Sequence, residues 1–108
     1  MLFRSQEGTA GRDSSDMDRL LELLDSLREG INKKDKGILT GVSERFGDVA
    51  KILHIKRDLG RKIEDGDREA ELRLFHEGVA RELGLSVDFV RKLFDLIIEE
   101  SKRIQAES

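Results

Sequence analysis

Two basic side chains stand where a helix would be expected to bury apolar ones. Leucine, isoleucine and valine recur at helical spacing through Leu20, Leu24, Leu27, Ile31, Ile38, Val42, Val49, Ile52 and Ile55. Arg45 falls in line with the Ile31, Ile38, Val42, Val49 and Ile52 seam. An inward arginine is costly unless an anion or hydrogen bonds meet it. Lys56 follows eleven residues later, about 20° from the same helical face and ~16 Å along the axis. Two long cations reaching in from one face can clamp a small anion between them. Taken singly, each also fits a basic side chain that lays its stem on apolar surface and keeps its charge in water. Arg28, seventeen residues before Arg45, points about 100° away, which in a helix paired with a second copy can lead to the partner's site.

Other chemistry-bearing groups cluster later in the chain. Ser101 and Gln105 form an i,i+4 pair of uncharged polar groups beside an apolar run. The stretch KIEDGDREAELR, residues 62–73, packs three acids around a glycine and follows them with Arg68 and Glu69. As a calcium loop it fails, because oxygen ligands are not at alternate positions and arginines intrude. His54 and His76 are isolated and cysteine is absent, so no transition-metal set can be assembled and no metal is expected. As a helix start it works: Asp65 or Asp67 can cap, and acids in the first turn, Glu69 among them, suit the helix dipole.

The elements that must position these groups are helical. The 108 residues are 40% charged and 37% hydrophobic, without proline, tryptophan, tyrosine or cysteine, which favours a small all-α domain and rules out thiol chemistry. No apolar run approaches the ~20 residues of a membrane span. With no apolar leader-like core at the N-terminus, the expected location is the cytoplasm. Residues 28–62 carry ten Lys/Arg against five Asp/Glu, whereas 63–108 carry seven against twelve. A cationic segment in a protein of net charge −3 suits a small anionic ligand better than nucleic acid.

Residues 1–15 read as a polar, mobile tail and 16–108 as the helical domain, with Ser15 as the first N-cap and Asp18 as its box partner. The first helix is expected over about 16–58, ~64 Å long, ending at Gly60. A second helix should run to about Leu83, burying Ala70, Leu72, Leu74, Phe75, Val79 and Leu83. Gly84 and Ser86 then stop it and cap a third over 87–106, whose core side holds Phe89, Val90, Leu93, Phe94, Leu96, Ile97, Ile98 and Ile104. A compact chain of this size has a radius of gyration near ~13 Å, too small to cover the first helix. Its apolar seam therefore predicts an intertwined homodimer of three-helix chains.

Five segments in this order resemble the all-helical class of chorismate mutase: LREGINKKD (27–35), SERF around Arg45, IKRDLG with Lys56, IEDGDRE (63–69) and LFDLIIEESKRIQ (93–105). The resemblance covers about residues 18–106 and implies conversion of chorismate to prephenate without a cofactor. It implies that Arg45 and the partner chain's Arg28 hold the two substrate carboxylates. Lys56 and Gln105 would donate to the ether oxygen of the breaking bond. Glu69, with the backbone at Asp65, would hold the ring hydroxyl. Ser101 would assist a carboxylate and Arg68 would line the site. The physics agrees, because an intramolecular rearrangement needs a cage that selects the reactive conformer, and positive charge at the developing oxyanion. Gln105 donates at any pH, so a broad pH profile around neutrality is expected.

The chain departs from that pattern at Lys34 and at Gly37, Gly41 and Gly47, each interior glycine costing ~1 kcal/mol against alanine. A kinked, loosened or closely packed helix between 37 and 47 is expected, and Gly66 is expected to loosen the turn before the second helix. Two other readings use the same residues. An isochorismate–pyruvate lyase would use a similar cationic cage, and a non-catalytic dimerisation or regulatory module would leave Arg45, Lys56 and Gln105 without a role.

Overall fold

The computed structural model describes residues 14–62 and 66–107. It contains three helices, α1 (Ser14–Leu59), α2 (Gly66–Glu82) and α3 (Val87–Glu107), and among the described residues no strand. The all-α reading therefore holds. Ser15 lies inside the first helical turn rather than capping it, because α1 is already helical at Ser14. Asp16 in its first turn and Lys56 and Arg57 in its last complement the helix dipole.

Glycine ends α1 and α2 in the same way. Gly60 and Gly84 have φ of 69° and 71°, a region open to glycine at little cost. After α1, the Arg61 amide donates to the Lys56 carbonyl at 2.8 Å and the Gly60 amide to Arg57 at 3.1 Å. After α2, Leu85 donates to Ala80 at 2.8 Å and Gly84 to Arg81 at 3.2 Å. This paired pattern satisfies carbonyls that the helix end would otherwise leave open. Ser86 then caps α3, its Oγ accepting from the Phe89 amide at 3.1 Å.

Of the disturbance expected between residues 37 and 47, close packing of the helix within the chain is not found. α1 runs through Gly37, Gly41 and Gly47 without interruption, and a Cβ at any of the three would meet nothing within 4 Å. Neighbouring residues supply the helical hydrogen bonds whether or not a side chain is present, so the glycines cost stability without breaking the helix. Gly47→Ala is therefore expected to stabilise the chain by about 0.5–1 kcal/mol, read from urea unfolding. A loss of stability would mean that something outside this chain packs against Gly47. Gly66 is likewise the first residue of α2 rather than part of a turn.

The chain divides into two units, Met1–Thr40 and Gly41–Ser108. The described part of the first is the Ser14–Thr40 portion of α1, where Leu20, Leu24, Leu27, Ile31 and Ile38 are all exposed. The second unit holds the remainder of α1 with α2 and α3, the last two packed as a helical hairpin. Its buried residues are Leu53, Ala80, Val90 and Ser101. The expected core sides are corrected accordingly. Leu74, Phe75, Leu83, Phe89 and Leu96 are exposed in the single chain, and on α2 it is Ala80 that is buried. Alanine permits the close helix approach that larger side chains would prevent. Among the described residues no helix is long and apolar enough to cross a membrane.

Candidate active site

Within the second unit, three helices line a cavity of about 300 Å³. From α1 come Arg45, Asp48, Val49, Ile52, Leu53 and Lys56, which share one face because they recur at intervals of three and four. The first turns of α2 supply Arg68, Glu69 and Leu72, and α3 supplies Ile98, Ser101, Lys102 and Gln105. Valine, isoleucine and leucine thus form an apolar wall between two cationic ends, Arg45 and Lys56. Four cations face two carboxylates in this lining, an excess of positive charge that suits a small anion carrying two negative charges.

Arg45 is half-buried, and burial followed by the charge of Arg68 pulls its guanidinium below the ordinary value. An arginine stays protonated regardless, so the shift reports a cation that is partly desolvated and, to a lesser degree, held beside another cation. Its guanidinium carbon lies 5.9 Å from the centre of the Phe94 ring on α3, within range of a cation–π contact. Ser101 is buried and its Oγ donates to the Ile97 carbonyl at 3.1 Å. The serine oxygen keeps its lone pairs, and donation to a carboxylate would require the hydroxyl to rotate off that carbonyl.

Six of the residues singled out in the sequence are thus brought to one cavity: Arg45, Lys56, Arg68, Glu69, Ser101 and Gln105. Arg28 is exposed on the Ser14–Thr40 portion of α1 and is not in the lining. Asp65 lies outside the described residues.

A family model for chorismate mutase type II matches residues 27–106. The chain belongs to the chorismate mutase type II family. It is accordingly an enzyme, an isomerase, and every residue of the cavity lies in the matched segment. A chorismate mutase from Methanocaldococcus jannaschii is 27% identical over 88 residues, covering 82% of this chain and 89% of the relative. No solved structure matches the chain.

The enzyme also places residues in the cavity that sequence reasoning passed over. Lys102 and Ile98 extend the Ser101–Gln105 face by helical spacing, and Asp48 follows Arg45 by three, so periodicity carried a signal for each. A larger cavity of about 370 Å³ lies between α2 and α3. Its charges neutralise one another, with Arg91 to Glu77 at 2.6 Å and Arg73 to Asp95 at 3.9 Å, so it has less call for an anion.

On the wall of that cavity the His76 ring stacks on Phe94, centroids 3.7 Å apart. Burial first, then the charges of Arg45, Arg68 and Arg73, hold its imidazole below the ordinary range. The unfolded chain therefore takes up this proton first as pH falls through about 6.5, and stability drops across the interval down to the folded value. Wild type should lose more unfolding stability between pH 7.5 and 5.5 than His76→Gln does, in parallel urea titrations. Equal losses would contradict a neutral, desolvated His76.

Proposed function

We propose that this cavity binds chorismate and rearranges it to prephenate by conformer selection and electrostatic stabilisation. The observation that carries the reading is the meeting of Arg45, Lys56, Arg68, Glu69, Ser101 and Gln105 around one cavity with surplus positive charge. The relative's name, chorismate mutase, supports the substrate. In the reaction one C–O bond breaks as one C–C bond forms within the same molecule, so no external nucleophile, base or cofactor is required. What the site must supply is geometry and charge.

Arg45 receives one carboxylate through its planar fork of donors. Lys56 and Gln105, from opposite helices, donate to the ether oxygen as it gains negative charge. Glu69 accepts from the ring hydroxyl, a role that the family resemblance also gives to the backbone at Asp65, which lies outside the described residues. Ser101 assists a carboxylate, and Arg68 adds positive potential and keeps Arg45's neighbourhood cationic. Leu72, Val49 and Ile98, each half-buried, give the cavity an apolar wall that lowers the local dielectric and strengthens these interactions.

The enzyme works in this reading as a homodimer in which Arg28 enters the partner's site. Support comes from the extent of exposed apolar surface, Leu20, Leu24, Leu27, Ile31 and Ile38 in the first unit alone, since contiguous apolar patches mark interfaces. Light scattering should return about twice the 12.3 kDa chain mass; a monomer that turns over substrate would remove Arg28 from the account.

Product analysis tests the reaction. Incubation with chorismate should yield prephenate, and incubation with isochorismate should yield no pyruvate. Pyruvate from isochorismate without prephenate from chorismate would instead identify the lyase.

A further inference from the structure

Lys102 was not among the residues that the sequence singled out, yet it occupies a distinctive place. Its Nζ lies 3.5 Å from Glu69 Oε2, joining the third helix to the first turn of the second. Both side chains line the candidate active-site cavity and also the neighbouring cavity between α2 and α3, so the pair forms a partition between the two spaces. Each is a little under half exposed, 45% for Lys102 and 44% for Glu69. An ion pair this wet contributes little to folding. Its value must be sought in what it does to the cavity.

Glu69 can rotate about three side-chain bonds, and a carboxylate has four lone-pair directions. Nothing on α2 alone fixes which of them faces the cavity. Lys102 approaches one carboxylate oxygen, Oε2, at 3.5 Å and so biases the carboxylate's orientation. It also offsets the repulsion that Glu69 would otherwise exert on a substrate carrying two negative charges. Without Lys102, the only other carboxylate of the lining, Asp48, and Glu69 would stand against three cations rather than four.

We propose that Lys102 is a positioning residue for Glu69, fixing its carboxylate to accept the substrate's ring hydroxyl. This rests on the chorismate mutase reading of the cavity. Because Lys102 acts through Glu69, its effect depends on Glu69 being a carboxylate.

The test is a double-mutant cycle with chorismate, using Lys102→Met, Glu69→Gln and the double variant, with Lys102→Arg as the conservative control. Lys102→Met should lower kcat/KM about fivefold, the upper end for a partly exposed ion pair. Lys102→Arg should recover most of that loss. In the Glu69→Gln background, adding Lys102→Met should cost no more than about twofold, since coupled residues fail to add. Thermal melts should move little for Lys102→Met. Losses that multiply in the double variant, or a Lys102→Met enzyme with unchanged kcat/KM, would overturn the proposal while leaving the mutase reading intact. A folded wild-type protein inert toward chorismate would instead overturn both.

Discussion

Arg45→Ala should lower kcat/KM for chorismate by about 10²–10³, the range for removing one partner of a desolvated, hydrogen-bonded charge pair. Much of that loss should appear as a raised KM, because in the proposed mechanism the arginine meets a carboxylate that is charged in ground state and transition state alike. Two features of the structure set the size of the effect. Arg45 is half-buried and held beside Arg68, so with no anion present its charge is poorly compensated. Its guanidinium carbon also lies 5.9 Å from the centre of the Phe94 ring, at the outer edge of a cation–π contact. Arg45→Lys should restore little, since a point charge does not reproduce a planar two-point contact. Steady-state kinetics on both variants would check this. A KM within twofold of wild type for Arg45→Ala would remove the arginine from the site.

Lys56→Ala should act differently, reducing kcat by about 10²–10³ with a smaller change in KM. The ether oxygen gains charge only as the bond breaks, so a donor there is felt mainly in the transition state. Lys56 and Gln105 reach the same cavity from α1 and α3, with Val49, Ile52 and Leu53 between Arg45 and Lys56 in its lining. With Gln105 as the second donor, no proton has to be gained for the site to work. The rate of the wild-type enzyme should accordingly change little around neutrality. An activity that rose only in acid would contradict the role given to Gln105, and an unchanged kcat for Lys56→Ala would contradict that given to Lys56.

Much of this arrangement was legible before any coordinates. The eleven-residue interval from Arg45 to Lys56 and the four-residue interval from Ser101 to Gln105 are helical arithmetic, and each pair does share a face and a cavity. The stops of α1 and α2 and the start of α3 were legible too, because Gly60, Gly84 and Ser86 each have a local backbone task that few other residues perform. The other two starts were less so. Asp67 lies within α2 and Ser15 within α1, since several neighbouring polar residues could each have served as a cap.

Contacts between helices were the part that sequence could not give. Lys102 with Glu69 and His76 with Phe94 join residues 33 and 18 positions apart, a separation at which periodicity carries no information. Core sides failed for a related reason. An apolar stripe says that a face wants cover, without saying whether the cover comes from the same chain. Leu74, Phe75 and Leu96 remain exposed in a single chain although their spacing reads as buried. The interior glycines misled in the opposite direction, because propensity measures a cost and α1 bears that cost without a break.

The central claim is that a cationic cavity built on Arg45 and Lys56 accelerates the rearrangement. Its most direct test follows chorismate loss by ultraviolet absorbance at chorismate well below the wild-type KM, with wild type, Arg45→Ala and Lys56→Ala at equal concentrations of folded protein. Wild type should consume chorismate far above the uncatalysed rate, and each variant should fall at least about 10²-fold below it. Three folded proteins with the same rate, equal to that of buffer alone, would contradict the account.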